Sequence, residues 1–541
     1  MFFFTYKAYD YAFKNKNVES KLYYVPWIVL TVLYSSLWVL GLQLDNDSGI
    51  QFKIETLLII VLVSMGIYPF VLCAAKLLDN TKTEGKKTSL HLLKICFLLI
   101  IIAWGATYLA LFPGVYGTDA PCWYFEFSRS DVKISSQWSP LYCWFFYSFV
   151  TFGKTYFNSY TIGFAIFSFI QMAFTLCIIW RILLFTNKEF NSKCVILVTL
   201  FYLMPMHAIL AITSAQDAIF SPCFAMVVLY LTQYVLDKDL FLNKKNIFSF
   251  MFWIVFMCVI RNNGMYAMSV VLIIAVLMKE QRRLIFAIIG SIMIVIFYQG
   301  PVYEAIGIEK GTAIREMLSL PLQQMAYTYN YSNKLTDAQR KEMELYIPEE
   351  GWKSYTPCIS DPVKSYFDDL EGSEKGNFAK LYIRLLVENP EEFLQGAGLQ
   401  TFGLWYPNKQ WPDYRTWHPY IDIMSYDSKG WYDSDFTIYR ESKFPIYESF
   451  LETLFGKGES YNGYGGNLDM IFDDIPVFGN LCRIGTYTWI LAFALFYAVY
   501  KKWNTFLMTL GLEMGLWLTV FLSPVIMYRY CAPIIFSTPL Y

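Results

Sequence analysis

The sequence predicts an all-α polytopic membrane protein of about eleven or twelve spans, with a mixed soluble domain inserted before the last spans. Of its 541 residues, 56% are hydrophobic and 16% are charged, where a soluble domain carries about 25% charged residues. By contrast, residues 300–480 hold 28 acidic and 16 basic side chains and no apolar run of spanning length. This composition excludes a single soluble globule. Disorder is excluded too, because aromatic residues make up 19% of the chain.

The predicted spans are apolar runs close to the roughly 20 helical residues that cross a hydrocarbon core of ~30 Å. Backbone amides have no water partner in lipid, so these runs must be helices. The runs lie at residues 24–43, 56–78, 91–112, 160–183, 194–213, 218–236, 247–260, 264–278, 284–299, 482–500 and 504–523.

The spans divide the chain into five regions. N-terminal helices fill residues 1–112, and residues 113–159 form a first large outer loop with an aromatic helix at 141–153 lying in the interface. Further helices fill 160–299, the soluble domain takes 300–480, and the last helices occupy 481–541.

Basic residues set the predicted orientation, because cytoplasmic loops are enriched in lysine and arginine. Strict alternation from a cytoplasmic N-terminus puts every basic loop inside and the 113–159 and 300–480 regions outside. The basic residues are Lys7, Lys14, Lys16 and Lys21 before the first span, and Lys82, Lys86, Lys87, Lys238, Lys244, Lys245, Lys279, Arg282, Arg283, Lys501 and Lys502 in later loops.

Polar clusters interrupt the apolar sequence at the predicted outer surface. Residues 113–119 (PGVYGTD) and 138–141 (WSPL) lie in the first loop, 214–217 (SAQD) begins a span, and 261–264 (RNNG) joins two short spans. A charged side chain near the centre of a membrane helix costs about 2.5–3.5 kcal/mol on insertion scales. We therefore expect these side chains to share one polar cavity.

In their order along the chain, these motifs resemble an uncharacterised family of bacterial polytopic proteins in the GT-C glycosyltransferase superfamily. The matching elements are Pro-Gly followed by Asp119, Trp138-x-Pro-Leu, the later Asp217, the Arg261-Asn-Asn-Gly hinge and the terminal Arg529-Tyr-x-x-Pro. The superfamily includes protein mannosyltransferases and lipid A aminoarabinose transferases. The resemblance implies a bacterial cell-membrane enzyme that uses a sugar linked to polyprenyl phosphate, with Asp119 as the catalytic carboxylate.

Two positions depart from the resemblance. Ser139-Pro140 stands where relatives often have His-Pro, and Gln216 stands where a lysine is expected before the acid. These departures concern acceptor positioning and phosphate contact.

The residue chemistry fits transfer from a lipid-linked donor to a cell-envelope glycan, lipid or protein. Such a reaction needs a base near the acceptor hydroxyl, for which Asp119 is the candidate. Charge developing on the phosphate needs fixed cations, so Arg261 is the first candidate and Arg529 the second.

The remaining candidates belong to substrate binding. Asp217 could orient the acceptor or hold a divalent cation, and no metal site is otherwise indicated. Asn262 and Asn263 could hydrogen-bond sugar hydroxyls, and Trp138 completes the set.

Structural roles compete with each assignment. Asp119 and Asp217 could be turn or helix-cap residues. Arg261 could extend its guanidinium to the headgroups from a helix end, and Arg529 could be an interfacial anchor.

Two other function classes stay open. One is a transporter or flippase for a lipid-linked glycan, although transporters often show inverted repeats and paired broken helices. The other is a non-catalytic assembly or sensor protein that binds glycan. No nucleotide-binding loop, zinc signature or nucleic-acid module is recognisable, so nucleic acid is not an expected partner.

Overall fold

The structure is a computed structural model that describes residues 24–46, 49–80, 87–117, 119–309, 311, 313–368, 370, 372–408, 436–455, 471 and 475–541. Lys7, Lys14, Lys16, Lys21, Lys82 and Lys86 lie outside these ranges. The described chain is helical, with isolated β-bridges and no strand.

The longer helices follow one another along the whole chain. They are α1 (Val25–Asp45), α2 (Ile54–Asn80), α3 (Leu90–Ala110), α4 (Ala120–Ser128), α5 (Pro140–Phe157), α6 (Tyr160–Glu189), α7 (Ser192–Tyr202), α8 (Pro205–Ala211), α9 (Gln216–Leu236), α10 (Lys244–Ile260), α11 (Asn263–Leu277), α12 (Arg282–Phe297), α13 (Ser319–Tyr331), α14 (Asp337–Glu344), α15 (Glu374–Glu388), α16 (Pro390–Trp405), α17 (Pro445–Phe455), α18 (Ile484–Lys501), α19 (Leu507–Phe521) and α20 (Tyr528–Ser537).

The protein is a multi-pass helical membrane protein, although fewer helices qualify as spans than the sequence predicts. Helices occupy all the predicted segments, yet in the described chain seven are long and apolar enough to cross a membrane, or up to eight with one bent pair. Helices α10 and α11 have only 17 and 15 residues. At 1.5 Å per residue, α11 is about 23 Å long and falls short of the hydrocarbon core.

The predicted span at 194–213 is broken in two. Helices α7 and α8 meet at an angle of 59° around residues 203–204. Pro205 is the first residue of α8. A proline disfavours helical geometry in the residue before it, which explains the break at this point.

The predicted interfacial helix is longer than expected and packs lengthwise on α6. Helix α5 has 18 residues, and a Cβ on Gly153 would come within 2.4 Å of Gly163 in α6. Glycine at both positions lets the two backbones approach closely. The helix is therefore held by α6 along its length.

The region from 300 to 480 divides between two hydrophobic cores. Buried side chains from Leu322 to Phe393 form a core of their own. From Phe402 onward, buried residues such as Trp405, Phe436 and Leu451 join the core of the membrane helices. The described part of this region is helical, in contrast to the mixed structure expected, because its amphipathic segments form α13 to α17.

The basic loops meet at one end of the helices, here called the basic end, formed by residues 79–80, 87–88, 187–193, 238–245, 279–283 and 501–505. The ammonium of Lys238 lies 3.1 Å from Glu280, whose carboxylate also accepts a 3.1 Å hydrogen bond from Thr505. Lys501 lies 2.6 Å from Asp79. Helix α9 ends here and begins at the opposite end, where the polar clusters lie.

Candidate functional site

All seven predicted site residues line one cavity of about 820 Å³ at the end of the helices opposite the basic end. We call this the site end. The seven residues are Asp119, Trp138, Asp217, Arg261, Asn262, Asn263 and Arg529. The structure thus brings together side chains from segments more than 400 residues apart.

A short backbone contact joins the loop after α3 to the segment just before α9. The amide of Val115 donates to the carbonyl of Ile212 at 3.1 Å, and the amide of Ser214 donates to the carbonyl of Val115 at 2.9 Å. Gly114 has φ +136°, and a Cβ there would lie 2.8 Å from the Ile212 carbonyl oxygen. This strap, residues 113–117 with 212–214, places Asp119 and Asp217 on the same cavity.

Asp119 is the N-cap residue of α4, but its side chain makes no capping hydrogen bond. Its Oδ2 instead accepts a 2.8 Å hydrogen bond from Nη1 of Arg529. Both side chains are about a quarter exposed or less, at 26% and 21%. Asp119 therefore occupies the N-cap position, as the structural alternative expected, but its carboxylate binds Arg529 and does not cap the helix.

Asp217 forms a second ion pair, with Nη1 of Arg261. The Asp217 side chain is 3% exposed and makes no capping contact. The Arg261 guanidinium also lies 4.4 Å from the ring centroid of Tyr530, and that of Arg529 lies 5.3 Å from the same centroid. Cation–π contact with one ring ties the two ion pairs together.

Amide side chains near the Arg261 hinge are fixed by neighbours. Nδ2 of Asn263 donates to Thr519 at 2.8 Å, and Nε2 of Gln299 donates to Oδ1 of Asn262 at 2.7 Å. Gln299 belongs to a single π-helical turn at Tyr298–Val302. Such turns are frequent at functional sites. Each asparagine keeps polar atoms that can meet hydroxyl groups in the cavity.

The cavity has an aromatic side and an apolar side. Trp123, Trp138 and Tyr303 line it near the ion pairs. Between α11 and α19, the lining includes Tyr266 and Leu518, which are 53% and 49% exposed on the outside of the helices. This wall is therefore partly open to the protein surface.

Residues of the 300–480 region form a further part of the cavity wall. Glu316 and Gly311 line it, and Glu316 pairs at 2.7 Å with Lys364, which is 7% exposed. Backbone bonds between Ile134, Ser136 and Glu309 at 2.8–2.9 Å join the first loop to this region. The 300–480 region is thus held against the first loop at the cavity.

Helix N-termini surround the cavity. Helices α4, α5, α9, α11 and α20 all begin there, and their N-cap or first-turn residues line it. Ser139 caps α5 with its side chain, while in the other four helices the N-cap side chain makes no capping hydrogen bond. Each N-terminus carries roughly +0.5 elementary charge. These N-termini favour nearby anions, including the two aspartates, whereas α10 and α19 end at the same cavity with the opposite polarity.

Sequence reasoning missed several of these features. Tyr530 follows Arg529 in the terminal Arg-Tyr motif, and that motif could have identified it. Nothing in the sequence pointed to Thr519, Gln299 or Glu316. In the described part of the chain, no three His, Cys, Asp or Glu side chains come together to hold a metal ion. Asp217 contacts Arg261 instead.

Residues 134–541 match the model of a family of unknown function, DUF6020. The match covers well over half of the chain, so the protein belongs to this family. Six of the seven predicted site residues lie inside the matched range, and Asp119 precedes it. No curated protein and no solved structure matches the chain.

Proposed function

We propose that this protein is an integral membrane glycosyltransferase of the GT-C type. It moves a sugar from a polyprenyl-phosphate donor to a cell-envelope acceptor such as a glycan, teichoic acid, lipid or protein. The observation that carries the proposal is the single cavity in which Asp119, Asp217, Arg261 and Arg529 meet beside an apolar, outward-facing wall. A lipid-linked sugar phosphate needs charged groups for its phosphate and an apolar wall for its lipid chain in the same cavity.

The cavity chemistry supports a donor with three parts. Guanidinium groups bind phosphate oxygens and stay charged when partly buried. Asparagine side chains and aromatic rings, here Asn262, Asn263 and Trp138, suit sugar hydroxyls and sugar faces. Tyr266 and Leu518 provide an apolar path for the lipid chain.

The reaction is written as one displacement. The acceptor oxygen bonds to the anomeric carbon while the bond from that carbon to the phosphate oxygen breaks, and the phosphate leaves with the electron pair. The acceptor proton moves to Oδ1 of Asp119, the oxygen that the Arg529 contact leaves open. Arg261 stabilises the charge on the leaving phosphate. The anomeric centre is inverted.

The opposite positions of the cavity and the basic loops support an active site on the outer face. Lys238, Lys279 and Lys501 belong to the far ends of the helices. Basic loops are cytoplasmic in most membrane proteins. The proposal therefore locates the N-terminus inside and the cavity outside a bacterial cell membrane.

The first test is to identify lipids that co-purify with the protein by mass spectrometry. We expect a polyprenyl lipid that carries a sugar on its phosphate or diphosphate, and transfer of that sugar to an envelope fraction in proteoliposomes. Asp119→Asn should slow transfer by about 100-fold or more, since general base catalysis contributes about 10² to 10⁴.

Asp79→Asn is the matched control. Asp79 pairs with one cation, Lys501 at 2.6 Å, and is 21% exposed, much as Asp119 is with Arg529, but it lies at the basic end. It should transfer at the wild-type rate. A folded Asp119→Asn protein with wild-type transfer would contradict the proposal. Movement of the lipid-linked sugar between leaflets without sugar transfer would favour the alternative function, a transporter or flippase for a lipid-linked glycan.

A further inference from the structure

Two guanidinium groups lie close together in the cavity. Their central carbons are 4.4 Å and 5.3 Å from the centroid of the Tyr530 ring, for Arg261 and Arg529 respectively. The two carbons are therefore within about 10 Å of each other. One ligand with two anionic groups can reach both.

Each guanidinium has donors to spare. A guanidinium carries five N–H donors in a planar fork. The contacts to Asp217 and Asp119 each use Nη1 of the arginine. Nε of Arg529 has no hydrogen-bond partner among the described residues but is covered by protein atoms, so the 21% of this side chain that is exposed lies on its other atoms. Both arginines can therefore hold a further anion while keeping their carboxylates.

Helix N-termini supply backbone donors on the same cavity. The two aspartates neutralise the two arginines. Helices α4, α9, α11 and α20 begin at the cavity, and their N-cap side chains make no capping hydrogen bond. Helices α10 and α19 end there with the opposite polarity, so the contribution of the N-termini is local: their first backbone amides can meet anionic oxygens of a ligand.

We propose that the cavity binds a diphosphate, with Arg261 on one phosphoryl group and Arg529 on the other. The inference rests on the proposed function for the lipid-linked donor, and it names the group that links sugar to lipid. One phosphoryl group satisfies one guanidinium bidentately, whereas a diphosphate offers each guanidinium its own oxygens. On transfer, the bond between the anomeric carbon and the diphosphate oxygen breaks, and polyprenyl diphosphate leaves with the electron pair.

Native mass spectrometry of the full-length protein in detergent tests this directly. The probes are undecaprenyl phosphate, undecaprenyl diphosphate, inorganic pyrophosphate and uridine diphosphate. We expect the diphosphate lipid to bind at least about tenfold more tightly than the monophosphate lipid. Arg261→Gln and Arg529→Gln should each abolish this preference.

Arg283→Gln is the control, because Arg283 lies at the basic end and is exposed. It should keep the preference. Removing Arg261 leaves the buried Asp217 without its cation, so the neutral double variant Asp217→Asn/Arg261→Gln provides a second measurement. It should lose the preference equally.

The outcomes separate the two proposals. Equal affinity for both lipids, or arginine variants that keep the preference, would overturn the diphosphate inference and leave the proposed function standing. Binding of neither lipid would overturn the proposed function. Tight binding of uridine diphosphate or pyrophosphate without either lipid would support the diphosphate site and assign it to a nucleotide-linked donor.

Discussion

Each end of the helical body holds a buried carboxylate that joins neighbouring helices. At the site end, the Asp217 side chain is 3% exposed and pairs with Arg261. At the basic end, the Glu280 side chain is 5% exposed and pairs with Lys238, with hydrogen bonds from Tyr234 at 2.8 Å and Thr505 at 3.1 Å. Burial and pairing alone do not distinguish them.

The difference lies in what surrounds each pair. Three side chains donate to Glu280, two from the end of α9 and the turn after it and one from the segment before α19, so its oxygens serve the fold. The partners of Asp217 and Asp119 line a cavity, and each bonds its aspartate through one guanidinium nitrogen, Nη1, which leaves other N–H donors on the group. Intramembrane charge marks function when its partners still have unused hydrogen-bonding capacity toward an open volume.

Among the substitutions that test this difference between the two ends, Asp217→Asn should have the largest effect on the transfer rate. Losing the carboxylate frees the Arg261 guanidinium, and a misplacement of about 1 Å can cost about 100-fold in rate. Sugar transfer in proteoliposomes measures it, with unfolding in mixed detergent micelles as the check on folding. An unchanged rate would make Asp217 a structural residue like Glu280.

Gly114→Ala tests whether the strap builds the site end. A Cβ at φ +136° would meet the Ile212 carbonyl at 2.8 Å, so we expect a loss of about 1–3 kcal/mol in unfolding free energy and slower transfer. Gly105→Ala in α3 is the control, because nothing lies within 4 Å of its Cβ position. It should be neutral or stabilise by about 0.5–1 kcal/mol. If both variants behave alike, the strap does not position Asp119.

Glu280→Gln tests whether the carboxylate at the basic end has a structural role alone. The new amide group faces donors from Tyr234, Lys238 and Thr505, and we expect a stability loss of about 1–2 kcal/mol, discounted because Lys238 is half exposed. Transfer per folded molecule should not change. A loss of transfer without a loss of stability would mean that the basic end takes part in the reaction.

The smallest predicted effect is a pH-dependent change in thermal stability, caused by a carboxyl group in α4. Burial raises the pKa of the Glu126 carboxyl in α4 above its ordinary value of 4.5, with a partial offset from the Ser135 amide. Ionised Glu126 therefore destabilises the fold at neutral pH. Glu126→Gln should unfold at a slightly higher temperature there, and the gain should vanish as pH falls through the raised pKa toward 4.5. A constant gain would point to packing instead.

Much of the fold could be predicted from the sequence. Every predicted apolar segment is a helix, since helix is the structure that satisfies backbone groups in lipid. Fewer helices than predicted qualify as spans by length and composition, because α10 and α11 have 17 and 15 residues, α18 does not qualify, and Pro205 bends the pair α7 and α8. Apolar composition does not report helix length or direction.

The candidate site could be predicted in its members but not in its contacts. Asp119, Asp217 and Arg261 stand out as charges in apolar surroundings, and they do line one cavity. Arg529 was expected to be a secondary cation, yet it is the residue that holds Asp119. Nothing in the local sequence of either residue indicates that pairing.

The sequence by itself determined which segments are helices and which side chains are too polar for lipid, because both depend on the transfer of each residue from water. Only the tertiary structure decided that five helix N-termini and two ion pairs share one cavity. Hydrogen bonds and ion pairs act over a few ångströms. Asp119 and Arg529 are 410 residues apart along the chain, and folding alone brings them within 2.8 Å.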